Sequence, residues 1–387
     1  MSNNPYTEIS HQSWFSRLGE SIKGILVGLF LFFMAFPLLW WNEGRSVERY
    51  NSLKEGQQIV LSVATETVNP ANNGKLIHIQ GLANTQETLI DSVFAVSAPA
   101  IKLQRLVSMY QWQEAEQTET HEEVGGTKIT KKTYTYRQDW DNKEISSSHF
   151  KQRAGHENPP MLYKNQTLQA TQVKVGAFRL TSQQIARLSG EQDFNVQGVD
   201  IPTELAGQKL TLTGAGFYLG NIPTQPEIGD LQISFKVLKP ADVSLIAQQQ
   251  NDSFAPYQTQ AGSTIDLLEM GLLDASALFF QAQRENALLT WAIRIGGFLL
   301  MWLGLGMVLK PLSVVAAVLP LFGNLIAMGT WIFSFLLALP CTMLTIAIAW
   351  IAYRPFLAAA LMAVAIAAVV AMKFIPSQQM RFDYTKN

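Results

Sequence analysis

The chain reads as an α+β membrane protein: four transmembrane helices, one N-terminal and three C-terminal, with a large β-rich extracytoplasmic or lumenal domain inserted between helix 1 and helix 2. Three observations carry this. Residues 311–353 contain no Asp, Glu, Lys, Arg or His, and a bilayer crossing needs only about 20 apolar residues. A second apolar stretch, 24–41, lies near the N-terminus. Between the two, the chain is polar and Gln- and Thr-rich, with short segments in which apolar and polar side chains alternate, the period of half-buried antiparallel strands.

Taken in order, the chain begins with a polar stretch, 1–23, whose Arg17 and Lys23 precede the apolar stretch. A cleaved signal peptide would need a small-residue exit. Here the exit is Phe36-Pro37-Leu38-Leu39-Trp40-Trp41, so 24–41 reads as an uncleaved anchor with its tryptophans at the far interface. Gly24 and Gly28 form a small-xxx-small pair suited to close helix packing. The domain, 42–285, offers strands at 59–63, 76–79, 93–96 and from Ile101 onward. Gly125-Gly126 reads as a two-residue hairpin turn that sets Glu123 opposite Lys128, Glu119 opposite Lys132 and Glu114 opposite Arg137. An aromatic base (Met109, Tyr110, Trp112, Tyr134, Tyr136, Trp140) is expected to pack, and the charged tip to be exposed. Further strands fall at 173–180, 210–213, 231–237 and 243–247, and Thr181 to Gln184 reads as the cap of a short helix.

From Asp274 the pattern is helical. A helix to Leu309 spans about 54 Å, so its first third stands outside a hydrocarbon core of about 30 Å. The crossings are 24–41, 286–309, 325–352 (with Pro340 as a kink) and 356–372. Residues 310–324, interrupted by Pro320, read as an interfacial or re-entrant segment, and 373–387 as a tail. A fifth crossing in 310–324 is the alternative. Four crossings place Arg17, Lys23, Lys310, Lys373, Arg381 and Lys386 on one face and only Arg354 in the opposite short connection. That is the positive-inside pattern, with both termini cytoplasmic.

Several stretches resemble one family, LUMA (transmembrane protein 43). They are Asn42-Glu43-Gly44-Arg45; Leu76-Ile77-His78-Ile79 with Gly81; Met109-Tyr110-Gln111-Trp112 with Glu114; Tyr134, Tyr136 and Trp140; Gly155-His156 with Asn158-Pro159; Gly176 with Phe178; Pro226-Glu227 with Gly229-Asp230-Leu231; and Tyr353-Arg354-Pro355. The likeness is colinear over nearly the whole chain. It implies four crossings and one lumenal domain. It also implies an association with the endoplasmic reticulum and inner nuclear membrane, self-association, lamina and emerin-type partners, and a proposed role in ion conductance. The plain N-terminus points instead to a bacterial inner membrane with a periplasmic domain, the endoplasmic reticulum or inner nuclear membrane with a lumenal domain being the alternative.

Chemistry is sparse. The net charge of -1 gives no basic footprint for nucleic acid. Cys341 is the only cysteine and lies in the apolar run, so the domain has no disulfide. No nucleotide, nucleophile-elbow or zinc-protease motif appears, and no metal or cofactor is expected. His149 and His156 meeting across a loop with Glu157 is the one catalytic arrangement on offer; a loop histidine bonded to backbone explains the same residues. Asn165-Gln166-Thr167 fits a glycosylation sequon. Glu43 and Arg45 lie where the first crossing meets the domain, as an interfacial salt bridge or as a charged vestibule or subunit contact. Arg294 and Arg354 are membrane-boundary candidates able to snorkel, and His156 and Asn158 are candidates for the domain surface.

The expectation is therefore a non-enzymatic membrane scaffold. Its partners are the lipid bilayer, further copies of itself and other membrane proteins. A subunit of an oligomeric ion-conducting channel is the alternative, and an envelope enzyme acting on lipid or peptide a third reading.

Overall fold

A computed structural model describes residues 5–197, 204–205, 207–214, 216–316, 320–356 and 359. The chain divides into two units: residues 1–14 with 51–285, and 15–50 with 286–387.

The first unit is β-rich. A nine-stranded and a seven-stranded sheet share one apolar core. In Leu231–Leu238 the expected alternation holds, with Leu231, Ile233, Phe235 and Val237 inside and Gln232 and Ser234 outside. Ala241–Gln250 is buried on both faces. Val243, Leu245 and Ala247 join the main core, while Ile246 packs with Leu53, Ile265, Leu278 and Phe279 on the other side. The short helix α2, Ser182–Arg187, is capped as expected: Gln184 N donates to the Thr181 hydroxyl and the Gln184 side chain accepts from Thr181 N.

Residues 173–180, expected as one strand, form two, Lys174–Val175 and Phe178–Arg179, paired antiparallel across a turn at Gly176 of φ 60. Three further details depart from expectation. The first is the hairpin Lys102–Glu122 with Lys128–Asp141, which closes through a three-residue loop. Glu123 N donates to Thr127 O, and Gly125 and Gly126 both hold positive φ, so the second glycine occupies the left-handed position of the longer loop type. The register is thus one residue from the expected one: Glu122 faces Lys128, Glu119 faces Lys131, and Gln113 faces Arg137. Opposite charges are matched in this register too, which is why they could not select between the two. Second, residues 92–95 form a turn. Asp91 Oδ1 accepts from Val93 N (3.0 Å) and Phe94 N (3.1 Å), Ala95 has φ 55, and the strand starts at Val96. Third, only Leu61–Ser62 of 59–63 is strand, because the preceding helix runs on to Ile59.

The N-terminal strand Tyr6–Gln12 lies antiparallel to residues 128–134 on the outer edge of the hairpin. The expected cytoplasmic N-terminus would lie across the membrane from this domain, whereas the pairing attaches residues 6–12 to it. Their polar, short composition gave no strand signal.

The second unit is helical. Helix α1, Trp14–Ile59, contributes its part up to Tyr50, and helix α3, Ala275–Ala316, its part from Asn286. Helix α4 is Pro320–Tyr353. Among the described residues three helices are long and apolar enough to cross a bilayer: α1, α3 and the Leu325–Tyr353 part of α4. The segment expected to be separate, 310–324, is divided instead. Residues 310–316 continue α3 through Pro311, and 320–324 open α4. A proline at 311 lacks one donor yet leaves the rest of the ladder intact, so it does not end the helix here. The fourth crossing expected at 356–372 falls, apart from Phe356 and Ala359, outside the described residues.

Candidate functional site

The two segments of the second unit contributed by α1 and α3 run antiparallel. The α1–α3 contacts follow a single line, from Gly28 beside Gly304, through Leu39 beside Gly297, to Glu43 beside Arg294. A Cβ on Gly28 would fall 2.6 Å from Gly304 O, and one on Gly304 would fall 2.6 Å from Gly28 O. These two glycines therefore set the helix separation. Gly24 lies farther along the line, where an added Cβ would meet only Met307 Cε at 3.9 Å.

At the other end of that line the apolar seam becomes polar. Asn286, Thr290 and Arg294 are spaced four apart and so share one face of α3; opposite them on α1 stand Asn42, Glu43, Arg45 and Ser46. Glu43 is fully buried. Its carboxylate takes both forks of Arg294, Nε to Oε1 at 2.7 Å and Nη2 to Oε2 at 2.8 Å, and Trp350 Nε1 of α4 donates to Oε2 at 2.8 Å. Two helices are thus joined by a bidentate ion pair and the third by an indole. The Arg294 guanidinium also lies 4.8 Å from the Trp291 ring and 5.7 Å from that of Trp350, the geometry of a cation–π contact.

Arg45 does not pair with Glu43, because residues two apart on a helix point to different faces. It reads neutral oxygens instead: Asn286 Oδ1 (2.9 Å), Asn42 Oδ1 (3.2 Å) and Thr290 Oγ1 (3.1 Å). Asn42 and Asn286 donate across the seam to Thr290 O and Ser46 O, and the Thr290 hydroxyl meets that of Ser46 at 2.9 Å. Gly44 completes the cluster, since a Cβ there would lie 2.8 Å from Tyr353 Cζ. Two of the stretches that resemble the family, 42–45 and 353–355, therefore meet in space. This set of contacts is a clamp: desolvated charge is matched by charge and fixes the register of three helices. Trp350, Thr290, Asn286 and Ser46 escaped the sequence reading, although the four-residue spacing of Asn286, Thr290 and Arg294 was visible there.

The remaining candidates lie elsewhere. Arg354 places its guanidinium 5.9 Å from the Trp350 ring, and that group makes no hydrogen bond among the described residues. In the β-rich unit, Asn158 is a structural peg: it accepts from Trp112 N (2.7 Å) and donates to Trp112 O and Ile145 O. His156 stacks on Tyr136 with ring centres 4.0 Å apart and meets Trp112 edge-on at 4.6 Å, its Nδ1 lying 2.9 Å from Gln152 O. Burial, reinforced by the hydrogen bond to Glu114, pushes the Tyr136 phenol up to about 12. Glu157 turns back to Gly155 N and His149 contacts Ser148, so these three residues converge on no common point. No metal-binding cluster of His, Cys, Asp and Glu occurs among the described residues.

Apolar helices clamped by buried charge, carrying a β-rich unit between them in sequence, define an integral membrane protein. The family model described as Transmembrane protein 43 matches residues 109–355. Transmembrane protein 43 of Rattus norvegicus is 34% identical over 366 residues, 92% of this chain and 90% of the relative. That of Homo sapiens is 33% identical, covering 96% and 95%, and the homolog of Drosophila melanogaster is 30% identical, covering 87% and 90%. The chain belongs to the Transmembrane protein 43, or LUMA, family. No solved structure matches it.

Proposed function

We propose that the protein is a non-enzymatic membrane scaffold that self-associates and organises membrane regions or partner proteins through its β-rich domain. The observation that carries this reading is where the polar groups of the helical unit are directed. A conducting path needs unspent polar groups facing a lumen. Here Glu43, Arg294 and Arg45 point into helix–helix contacts. The Thr and Ser hydroxyls of α4 are directed at helix groups: Thr330 donates to Ala327 O, Ser334 to Thr330 O and Thr345 to Cys341 O within α4, and Thr342 to Met301 Sδ of α3. The separation of His149, His156 and Glu157 supports a non-enzyme. The compared relatives are animal proteins, which favours the endoplasmic reticulum or nuclear membrane, with the domain lumenal, over a bacterial inner membrane.

The test is native mass spectrometry of the full chain released from lipid nanodiscs. Dimers or higher assemblies are expected; monomers alone, at every protein-to-lipid ratio and with no retained partner, overturn the proposal.

A further inference from the structure

Within the helical unit, α1 and α4 enclose a groove of about 520 Å³ lined by Phe36, Pro37, Trp40, Cys341, Leu344 and Ile348. The one hydroxyl on its wall, Thr345, donates to Cys341 O at 2.7 Å, which leaves the Trp40 indole N–H as the chief polar group its occupant would meet. Along α4 the lining extends from Cys341 to Ile348, roughly 10 Å of helix. Such a surface selects hydrocarbon.

What stands at one end of the groove narrows the choice. The Trp40 ring meets Tyr353 edge-on at 5.7 Å, and the next residue is Arg354. The three arginines of this region differ in one respect. Arg294 is neutralised by Glu43 and Arg45 is taken up by amide and hydroxyl oxygens, whereas the Arg354 guanidinium, which rests on the Trp350 face and feels the Glu43 charge only at longer range, makes no side-chain hydrogen bond among the described residues. Its fixed fork of donors is built for bidentate binding of a phosphate. Indole, phenol and guanidinium together are the side chains that favour the headgroup level.

We infer that this groove binds one acyl chain of an anionic phospholipid whose phosphate is held by Arg354. The hydrocarbon wall rejects a free phosphate or a soluble anion, and a guanidinium with donors left over among the described residues distinguishes an anionic headgroup from a zwitterionic one. The site is independent of the scaffold reading, since a lipid seated here is compatible with any assembly state.

The experiment uses the full chain in nanodiscs doped with phosphatidylglycerol or phosphatidylcholine carrying a diazirine on one acyl chain, with adducts mapped by peptide mass spectrometry after irradiation. Adducts are expected to concentrate at residues 341–348, with the anionic lipid favoured about fivefold, the preference of one arginine for anionic headgroups. Arg354→Gln brings that ratio to parity. Leu344→Trp, at a side chain 61% exposed and free to fill the groove, lowers adducts from both lipids. Two results overturn the proposal. One is labelling spread evenly along α4 without headgroup preference. The other is labelling absent from residues 341–348 and confined to other lipid-facing surfaces, which shows that protein and not lipid fills the groove.

Discussion

Neutralising Glu43 probes the clamp directly. Its carboxylate accepts three hydrogen bonds, two from Arg294 and one from Trp350, and the Arg294 side chain is only 13% exposed. Glu43→Gln leaves one acceptor oxygen for three donors and places an amide N–H against a guanidinium. Hydrogen bonds to charged groups contribute about 1.5–3 kcal/mol each, and removing one partner of a buried pair costs about 3–5 kcal/mol. Because Arg294 retains some exposure and can swing toward the interface, the lower figure, ~3 kcal/mol, is expected. The assay is reversible unfolding of the full chain in mixed micelles, followed by protease sensitivity of the helical unit. Arg294→Gln should behave alike. The double variant Glu43→Leu/Arg294→Met should recover to within about 1 kcal/mol of wild type, because two apolar partners leave no orphan charge. A Glu43→Gln protein within about 0.5 kcal/mol of wild type, the range of neutral surface changes, would refute the clamp.

Further predictions concern other parts of the chain. Gly28→Ala pushes a methyl onto the Gly304 carbonyl and should destabilise by about 1–3 kcal/mol in the same assay, whereas Gly24→Ala should stay near wild type; equal effects would contradict the packing line. His78 is buried between Ser62 Oγ and Leu273 O, and burial holds its pKa below the usual value. The unfolded chain therefore binds the proton more readily, so this stability is present above about pH 6.5 and is lost as pH falls through the folded-state pKa. Denaturant midpoints of the full chain at pH 7.5 and 5.5 should show that fall, with a shallower slope for His78→Gln. Cysteines at 119 and 131 should cross-link under mild oxidation and cysteines at 119 and 132 should not, in a Cys341→Ala background; the reverse outcome restores the two-residue turn. Two features compete for the N-terminus. Eleven Leu, Ile, Val and Phe residues within 24–41 favour insertion by roughly 3–7 kcal/mol, while the strand at 6–12 is almost wholly exposed. Insertion should win, so that a Ser10→Cys label reacts from the cytoplasmic face. Reaction from the domain's face would retain the strand pairing and remove α1 as a crossing.

The parts of this molecule legible in sequence are those governed by local chemistry. Alternation at 231–237, the Thr181 capping box and the uncharged run each report on neighbours a few residues away, and each appears in the structure as strand, capped helix or long apolar helix. The hairpin register was not legible, because both registers match glutamates with basic residues and only the backbone conformation of Gly125 and Gly126 separates them. The clamp was half legible. Glu43, Arg45 and Arg294 stood out as charges at membrane boundaries, but Glu43 and Arg294 are 251 positions apart, and no periodicity connects residues on different helices. Asn158 was read as surface because asparagine in a proline-rich loop normally is; two of its three backbone bonds go to Trp112, on a strand 46 residues earlier, and the third to Ile145, 13 residues earlier.

We propose that the charged and hydroxyl groups of the membrane unit hold helices together instead of conducting ions. The most direct test is the current across planar bilayers containing the assembled full-length protein, recorded over a range of pH and voltage for wild type and Glu43→Gln. Wild type is expected to carry no protein-dependent current. A stable current in wild type that Glu43→Gln alters in selectivity or abolishes, while the helical unit stays as protease-resistant as before, contradicts it.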